Sequence, residues 1–434
     1  MLLRRGNRGS LVSLLQLGLE RSGYSPGAKD GIFGANTEAA LIRFQENHGL
    51  VPDGIAGRLT MERIRPYIVG YTQYTVRSGD TLYSIASRLY STVALIENAN
   101  PNINALNLIP GGVITVPFNF PLVPTDIAYS SLLCELICEG LSVRYPFIEL
   151  SSAGKSVLGR HLTTLTLGRG ENRVFLNASH HANEWITTPL ALKYIEEYAI
   201  GVVNGGALGG QNSEYMFDSN RLFVMPMVNP DGVDLVTGAL EENTSAYRGA
   251  VNISQNYSSI PFPSGWKANI LGTDLNLNYP AGWEQARAIK FAQGFVSPAP
   301  RDFVGTAPLS APESSAVHRY SLENNFNITI SLHTQGEEIY WQFLDYAPDY
   351  AQILGLEMAR VSGYTLTSPV ESSSYAGYKD WFLRNYRRPG YTIEAGRGVN
   401  PLPVSDFAEI YPDIVNIISA ALAFGGNNRS REID

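Results

Sequence analysis

The pattern of apolar and polar positions divides the chain into three regions. In residues 1–67, apolar side chains recur at the three- and four-residue spacing of amphipathic helices. This spacing predicts three helices, at Ser10–Ser22, Thr37–His48 and Thr60–Arg65. The residues expected to face inward are Leu11, Leu14, Leu15, Ala40, Leu41 and Phe44. The first region is therefore predicted to be an all-α module of three helices.

Two short segments of this region are near-repeats. The segment that begins at Asp30 (DGIFGANT) is echoed by the segment that begins at Asp53 (DGIAGRLT). Each begins with an Asp-Gly turn and ends on a threonine, Thr37 or Thr60, that can cap the next helix. With Leu15-Gln16 and Phe44-Gln45, these turns resemble the small helical peptidoglycan-binding module of many wall hydrolases. The resemblance implies that residues 1–67 bind peptidoglycan.

The second region, residues 73–117, reads as a strand, two helices and a closing strand. Residues 74–77 favour a strand, Ser-Gly-Asp follows as a turn, and Thr81 can cap the helix after it. A second helix is predicted near Val93–Ala99 and the closing strand at Val113–Val116. This βααβ unit resembles a LysM domain, which implies binding to N-acetylglucosamine-containing glycans.

The third region is predicted to be an α/β domain spanning residues 126–434. Three prolines at 117, 121 and 124 predict a stiff, non-helical linker over residues 118–125. Beyond it, apolar strands alternate with amphipathic helices, which favours a mixed, mainly parallel central sheet. The clearest strands are Arg173–Asn177, Arg221–Met227, Asn327–Leu332 and Tyr391–Glu394, and the clearest helices are Thr187–Val202, Pro312–Asn324 and Tyr346–Val361.

Composition excludes several classes of function. A net charge of −8 argues against a nucleic-acid partner, and it also argues against attachment to anionic wall polymers by bulk charge. The sequence contains no run of 18 apolar residues, so we expect no membrane span. The N-terminal arginines are not followed by the apolar segment that a signal peptide would have. We therefore expect either synthesis without classical secretion or a trimmed signal. Cys134 and Cys138 are predicted to be small apolar residues of one helix face, with a disulfide or metal pair as the alternative.

A set of histidines and glutamates carries the candidate chemistry. His181 and Glu184 follow a predicted strand at a spacing that places both on one face of a helical turn, so they can hold one metal ion. His333 and Glu394 each stand at the end of a predicted strand, where an α/β sheet presents functional side chains. Two histidines and one glutamate would leave zinc a fourth position for water, and a further carboxylate can accept a proton from that water.

With these marks, residues 126–425 resemble the zinc carboxypeptidase family. The matching motifs are His181-x-x-Glu184-Trp185, Asn229-Pro230-Asp231-Gly232, Asp274-Leu275-Asn276, His333 and Ile393-Glu394. The resemblance implies one Zn²⁺ held by His181, Glu184 and His333, with Glu394 as the general base. It implies that Asp274 orients the first zinc histidine and that Asn276 contacts substrate. Lys267 falls where the family has an arginine that stabilises the oxyanion, and Tyr375 is the nearest match to its substrate-capping tyrosine.

One departure from the family pattern concerns the substrate. Exopeptidases of the family have an arginine after Asp-Leu-Asn that helps to grip the free C-terminal carboxylate, whereas this chain has Leu277. The chain therefore resembles the γ-D-glutamyl-diaminoacid endopeptidases, which cut the stem peptide of peptidoglycan between D-glutamate and diaminopimelate. We therefore expect the protein in the cell wall or associated with the spore. Arg397, in a Gly-Arg-Gly loop after the catalytic strand, is a candidate anchor for a substrate carboxylate. The alternative is that Arg397 points to solvent or braces its loop through a nearby acidic residue.

Three functions follow as hypotheses. The first is a zinc endopeptidase that cleaves the γ-D-glutamyl–diaminopimelate bond. The second is a wall-peptide carboxypeptidase that removes one C-terminal residue by the same chemistry. The third is a non-catalytic wall-binding protein, although no predicted ligand or base is missing from the sequence.

Overall fold

The computed structural model of the chain describes residues 2–370 and 374–428. The chain divides into two compact units. The first comprises the described residues up to Ala128 together with Leu132–Glu149, and the second comprises Tyr129–Ser131 and the described residues from Leu150 onward.

The helices and strands are numbered in chain order. The helices are α1 (Ser10–Arg21), α2 (Ala35–Asn47), α3 (Arg58–Val69), α4 (Leu82–Arg88), α5 (Val93–Ala99), α6 (Ser131–Arg144), α7 (Thr187–Asn204), α8 (Ser213–Ser219), α9 (Pro230–Val236), α10 (Ser245–Gln255), α11 (Trp283–Ala292), α12 (Pro312–Asn324), α13 (Asp349–Ser362), α14 (Tyr378–Tyr386) and α15 (Phe407–Asn428). The strands are β1 (Tyr71–Thr75), β2 (Val113–Pro117), β3 (Glu149–Lys155), β4 (His161–Leu167), β5 (Asn172–Ala178), β6 (Ala207–Leu208), β7 (Gln211–Asn212), β8 (Asn220–Met225), β9 (Ile328–His333), β10 (Glu338–Tyr340), β11 (Thr365–Thr367) and β12 (Gly390–Glu394).

The three predicted helices of the N-terminal module are present as α1, α2 and α3. The predicted caps are wrong, because Gly34 and Gly57 occupy the N-cap positions and no side chain caps either helix. Thr37 and Thr60 instead lie within the first turns of α2 and α3 and are buried. The reason is that each threonine hydroxyl accepts a hydrogen bond from a buried glutamine.

That glutamine organises each Asp-Gly turn. The Gln16 side-chain amide donates to the Asp30 carboxylate and the Thr37 hydroxyl at 3.1 and 3.2 Å, and its oxygen accepts from the Gly31 backbone at 2.9 Å. The same bonds recur around Gln45, with Asp53, Thr60 and Gly54 at 3.1, 3.4 and 3.0 Å. The sequence repeat is therefore a repeat of one hydrogen-bonded turn.

The predicted strand-helix-helix-strand unit is confirmed. β1 pairs antiparallel with β2, and α4 and α5 lie between them in the chain. Thr81 caps α4 as predicted, since its hydroxyl accepts from the Ser84 amide while the Ser84 hydroxyl accepts from the Thr81 amide. The Asn100 side chain fixes the closing strand through two bonds to the backbone of Thr115, at 2.7 and 2.9 Å.

Residues 118–125 are packed into the first unit instead of forming a free spacer. Phe118 and Leu122 are buried, at 8% and 0% exposure. The Arg144 guanidinium, at the end of α6, donates to the carbonyls of Phe118 and Phe120 at 2.9 Å each. In the division into compact units, α6 groups with the N-terminal modules.

The second unit is built on an eight-stranded mixed sheet. The strand order is β11-β10-β12-β9-β5-β8-β4-β3. The four central strands β12, β9, β5 and β8 run parallel, while β4 and β10 join them antiparallel. The predicted α/β domain with a mixed central sheet is therefore confirmed, and the carboxyl ends of its parallel strands share one edge.

One described helical segment, Val404–Gly425, has the length and hydropathy to cross a membrane. Its most apolar stretch of 18 residues has a mean hydropathy of 1.4, and 56% of that stretch is buried within the fold. α15, which makes up most of it, packs on α13, and its Ser419 hydroxyl lies 3.1 Å from the hydroxyl of Tyr194 in α7. These contacts are those of a core helix.

Candidate metal centre and active-site cleft

The three predicted metal ligands meet at the carboxyl ends of two central strands. β5 ends at Ala178, and His181 and Glu184 follow it in a loop that closes with a short 3-10 helix. His333 is the last residue of β9, which pairs in parallel with β5. Because neighbouring parallel strands end at the same edge of the sheet, the loop and the strand end bring all three side chains together.

Their ligand atoms converge on one point. The Nδ1 atoms of His181 and His333 lie 3.1 Å apart, and each lies 2.9 Å from an oxygen of the Glu184 carboxylate. All three residues are buried, with exposures of 7%, 1% and 1% for His181, Glu184 and His333. Ligands bound tetrahedrally to zinc at about 2.0–2.2 Å lie about 3–3.5 Å from one another, so the spacing fits one zinc ion.

The outer nitrogens of the histidines support the same fit. His181 Nε2 lies 3.2 Å from a carboxylate oxygen of Asp274, which favours the proton on Nε2 and leaves Nδ1 free to bind a cation. Asp274 is itself held, because its other oxygen accepts from the backbone of Asp302 at 3.0 Å. His333 Nε2 is buried and has no hydrogen-bond partner among the described residues. The predicted orienting role of Asp274 matches this geometry.

The charges around Glu184 favour its ionised form. Burial alone would raise the pKa of Glu184, but the charges of His181 and Lys267 lower it well below its usual range. Burial would lower the pKa of His181, but the neighbouring Glu184 carboxylate raises it to about 9. A buried anion that draws protons and ammonium groups toward it is also suited to hold a metal cation.

Glu394 lies beside the ligand set. In the pairing of β12 with β9, Glu394 is directly opposite His333, and its side chain lines the same cleft. Burial, followed by the negative charge of Glu184, raises the pKa of Glu394 to about 8. A divalent cation at the ligands would add positive charge nearby and lower that pKa, which favours the ionised form that a base requires.

Lys267 also lies beside the ligand set. Its ammonium is 3.2 Å from an oxygen of Glu184 and lines the cleft. Burial alone would lower the pKa of Lys267, but Glu184 and Asp274 raise it, so the side chain is charged. The lysine therefore provides a fixed positive charge next to the ligand set.

The cleft has a volume of about 480 Å³ and contains several of the predicted residues. Asn276 and Leu277 line it, although the side-chain amide oxygen of Asn276 already accepts from the backbone amide of Tyr378 at 3.0 Å. His180, which directly precedes His181, is fully buried and lies 3.1 Å from the Tyr279 hydroxyl, outside the ligand set.

Tyr375 lies outside this cleft. It lines a neighbouring groove of about 440 Å³. There its ring meets Phe343 edge to face, with the ring centroids 6.1 Å apart, and it packs in a cluster that contains Trp283. The structure therefore does not support the predicted substrate-capping role of Tyr375, because its ring packs against other aromatic residues outside the cleft.

Arg397 also lies outside the cleft. Its contacts match the alternative prediction, in which it braces its loop through a nearby acidic residue. Its guanidinium forms an ion pair with Glu337 at 2.5 Å, in a separate pocket of about 110 Å³. The Glu337 amide donates to the carbonyl of Glu394 at 2.7 Å, which fixes this acidic residue beside the loop. A nearby carboxylate thus braces the Gly-Arg-Gly loop, and Arg397 is not placed to anchor substrate.

Several cleft residues carry no recognisable motif. Arg301, Lys290, Glu338 and Tyr340 all line the cleft. Glu338 and Tyr340 belong to the three-residue strand β10, and they reach the site because Glu338 pairs with Glu394 across antiparallel strands. A strand this short has too few residues to show a period, so sequence reasoning missed it.

The geometry can be compared with known proteins. Residues 135–413 match the zinc carboxypeptidase family. The chain belongs to this family. The family uses one zinc ion, and the described ligand triad provides a site that can hold it. Residues 8–64 match the peptidoglycan binding domain and residues 74–117 the LysM domain, which confirms both N-terminal resemblances.

Individual proteins also resemble the chain. The chain is 40% identical to gamma-D-glutamyl-L-diamino acid endopeptidase 1 of Lysinibacillus sphaericus, over 68% of this chain and 72% of the relative. It is 38% identical to a spore cortex-lytic enzyme of Bacillus cereus, over 18% of this chain and 30% of that enzyme. The fold resembles thrombin activatable fibrinolysis inhibitor, with a TM-score of 0.55 at 20% identity over 70% of this chain and 78% of that one.

Proposed function

We propose that this zinc carboxypeptidase family member is an endopeptidase that cleaves peptidoglycan stem peptides between γ-linked D-glutamate and the diamino acid. The observation that carries the proposal is the convergence of His181, Glu184 and His333 beside Glu394 in one cleft. The bond is suggested by the relative named for action on γ-D-glutamyl-L-diamino acids. The two N-terminal modules supply a reason for the enzyme to meet that substrate in the wall.

In this proposal each site residue has a separate task. His181, Glu184 and His333 would hold a zinc ion, which would supply Lewis-acid polarisation and lower the pKa of a bound water. Asp274 keeps the His181 ring in the orientation and tautomer that a ligand needs. Glu394 accepts a proton from the attacking water and passes it to the leaving amine. The fixed charge of Lys267 stabilises the negative charge that develops on the carbonyl oxygen.

Leu277 favours internal cleavage over removal of a terminal residue. It lines the cleft and packs against an apolar cluster that includes Trp283 and Ala286. An aliphatic side chain offers no hydrogen-bond donor to a terminal carboxylate, so the grip expected of an exopeptidase is absent at this position. An endopeptidase has no need of that grip.

The modules imply a role at the cell wall. The net charge of −8 over the whole chain does not favour bulk attraction to anionic wall polymers, so attachment through specific contacts of the modules is part of the proposal. Tethering raises the local concentration of the catalytic cleft on a polymer but not on a free peptide. We further propose the spore wall as one setting, on the basis of the short likeness to a spore cortex-lytic enzyme.

Mass spectrometry of digested stem peptides tests the proposed bond. Tetra- and pentapeptide stems should each yield L-alanyl-D-glutamate together with the remaining peptide that begins with the diamino acid, and the tripeptide stem should yield L-alanyl-D-glutamate and the free diamino acid. Glu394→Gln should give none of these products while it keeps its zinc, because an amide cannot accept the proton. Release of only the terminal residue from the tetra- and pentapeptide stems would instead identify a carboxypeptidase. The absence of any product from the zinc-loaded wild type would support a purely binding protein.

A further inference from the structure

The loop around Arg301 forms one wall of the cleft and is fixed on both sides. The carbonyl of Pro300 accepts from the backbone amide of Lys267 at 2.7 Å. The amide of Asp302 donates to the Asp274 carboxylate at 3.0 Å. Arg301 is thus held between the residue that supplies positive charge to the site and the residue that orients a metal ligand.

The charges on this loop do not balance. Asp302 receives both the Lys290 ammonium and the Nε of Arg301, each at 2.6 Å. Two cations therefore share one carboxylate. The Lys290 side chain is 10% exposed, whereas the Arg301 side chain is 45% exposed. Among the described residues, nothing pairs with the two terminal nitrogens of Arg301, so one edge of its guanidinium remains available in the cleft.

The other cations that line the cleft are already paired. The ammonium of Lys267 lies 3.2 Å from Glu184. The ammonium of Lys379 donates to Asp380 at 2.5 Å and to the carbonyl of Gln342 at 2.7 Å. Within the described cleft, Arg301 is therefore the cation that presents an unpaired planar pair of donors, the two terminal nitrogens of its guanidinium, to a ligand. The free edge of a guanidinium matches a carboxylate through two parallel hydrogen bonds.

We propose that Arg301 binds a free carboxylate of the substrate and so selects acidic stem peptides. This inference rests on the proposed function, since the γ-linkage leaves the α-carboxylate of D-glutamate free and diaminopimelate carries further carboxylates. Either source presents the same planar anion. Arg301, on a loop fixed in the cleft wall, thus takes the carboxylate-binding role that the sequence had predicted for Arg397.

Binding measured without turnover tests the proposal. In the zinc-loaded Glu394→Gln background, isothermal titration calorimetry gives Kd for L-alanyl-γ-D-glutamyl-diaminopimelate. Adding Arg301→Gln should weaken binding about 10–100-fold, as expected for loss of a charge-assisted bidentate contact. Arg301→Lys should recover part of the loss, because it restores the charge without the fork. Arg397→Gln is the matched control and should leave Kd unchanged, since that side chain is 78% exposed and outside the cleft.

Amidated peptides identify the carboxylate. One peptide carries an amide at the D-glutamyl α-carboxylate, and another carries an amide on the diaminopimelate. For one of these two peptides, binding to the Glu394→Gln background should already be as weak as the binding of the unmodified peptide to the variant that also carries Arg301→Gln. Adding Arg301→Gln should then weaken the binding of that amidated peptide no further. An equal loss on all three peptides would mean that Arg301 only maintains the loop, and no loss on any would also overturn the proposal. Failure to cut at D-glutamate would be seen separately, in the stem-peptide digests.

Discussion

Two clusters of buried polar residues, one in each unit, differ in how their hydrogen bonds close. In the N-terminal module, the Gln16 side-chain amide bonds the carboxylate and a backbone amide of an Asp-Gly turn and the hydroxyl of Thr37. Gln45 makes the same three bonds at the second turn. In the peptidase domain, two histidine nitrogens and a carboxylate approach one another, and a buried nitrogen of His333 has no described partner.

The difference separates structure from function. A closed cluster pairs each donor with an acceptor and stabilises the fold. Around His181 and Glu184 the acceptors instead converge, and the pKa of His181 rises to about 9 while that of Glu184 falls. Such an arrangement is costly unless a cation completes it. The convergence of lone pairs, more than burial itself, therefore marks the metal centre.

Metal removal should have the largest effect on this contrast. Dialysis against a chelator should lower turnover of a soluble stem peptide at least about a thousandfold, because several kcal/mol of charge stabilisation are lost. The unfolding temperature of the peptidase unit should fall as well, since a ligand bound only to the folded state stabilises it. Calorimetry should show that unfolding of the N-terminal modules depends less on zinc. Equal sensitivity of both units would contradict the distinction.

Asp274→Asn should have an intermediate effect. The amide keeps the size of the side chain but loses the charge that favours the His181 tautomer, so zinc affinity should fall about 10–100-fold. Competition with a chromophoric chelator measures this change. Glu323→Gln, which alters a carboxylate 62% exposed to solvent, is the control and should leave affinity as it is.

The central residues of the site were predictable because each stands next to an apolar strand. His333 ends β9 and Glu394 ends β12, and runs of buried β-branched and apolar residues identify both strands. Parallel strands bring their carboxyl ends to one edge of the sheet. The positions of His333 and Glu394 at strand ends, and of His181 just after one, therefore predicted that the three side chains lie close together.

The surroundings were not predictable, because contacts distant in sequence decide them. Arg301 lies at the site because the residues on either side of it bond Lys267 and Asp274. The loop itself shows no helical or strand periodicity that would have indicated this position. Thr37 has the residue type of a cap, but a hydrogen bond from Gln16, 21 positions earlier, holds it inside the helix. Local propensity describes the residue type correctly in such cases, while tertiary contacts choose its role.

Gln45→Ala should have the smallest effect on function and a local effect on stability. It leaves the amide of Gly54 and the carboxylate of Asp53 without their buried partner, which should cost about 1–3 kcal/mol in the free energy of unfolding. Turnover of a soluble stem peptide should not change. Denaturant unfolding measures the loss, with the exposed neighbour Glu46→Ala as control. A loss of zinc in this variant would show that the two clusters are not independent.

Zinc content of purified variants tests the central claim most directly. Inductively coupled plasma mass spectrometry should find about one zinc per chain in the wild type. Glu394→Gln should keep that zinc, because Glu394 faces the cleft beside the ligands without belonging to the triad. His181→Ala and His333→Ala should each lose most of it. An empty site in Glu394→Gln, or a full site in both histidine variants, would contradict the assignment of ligands and base.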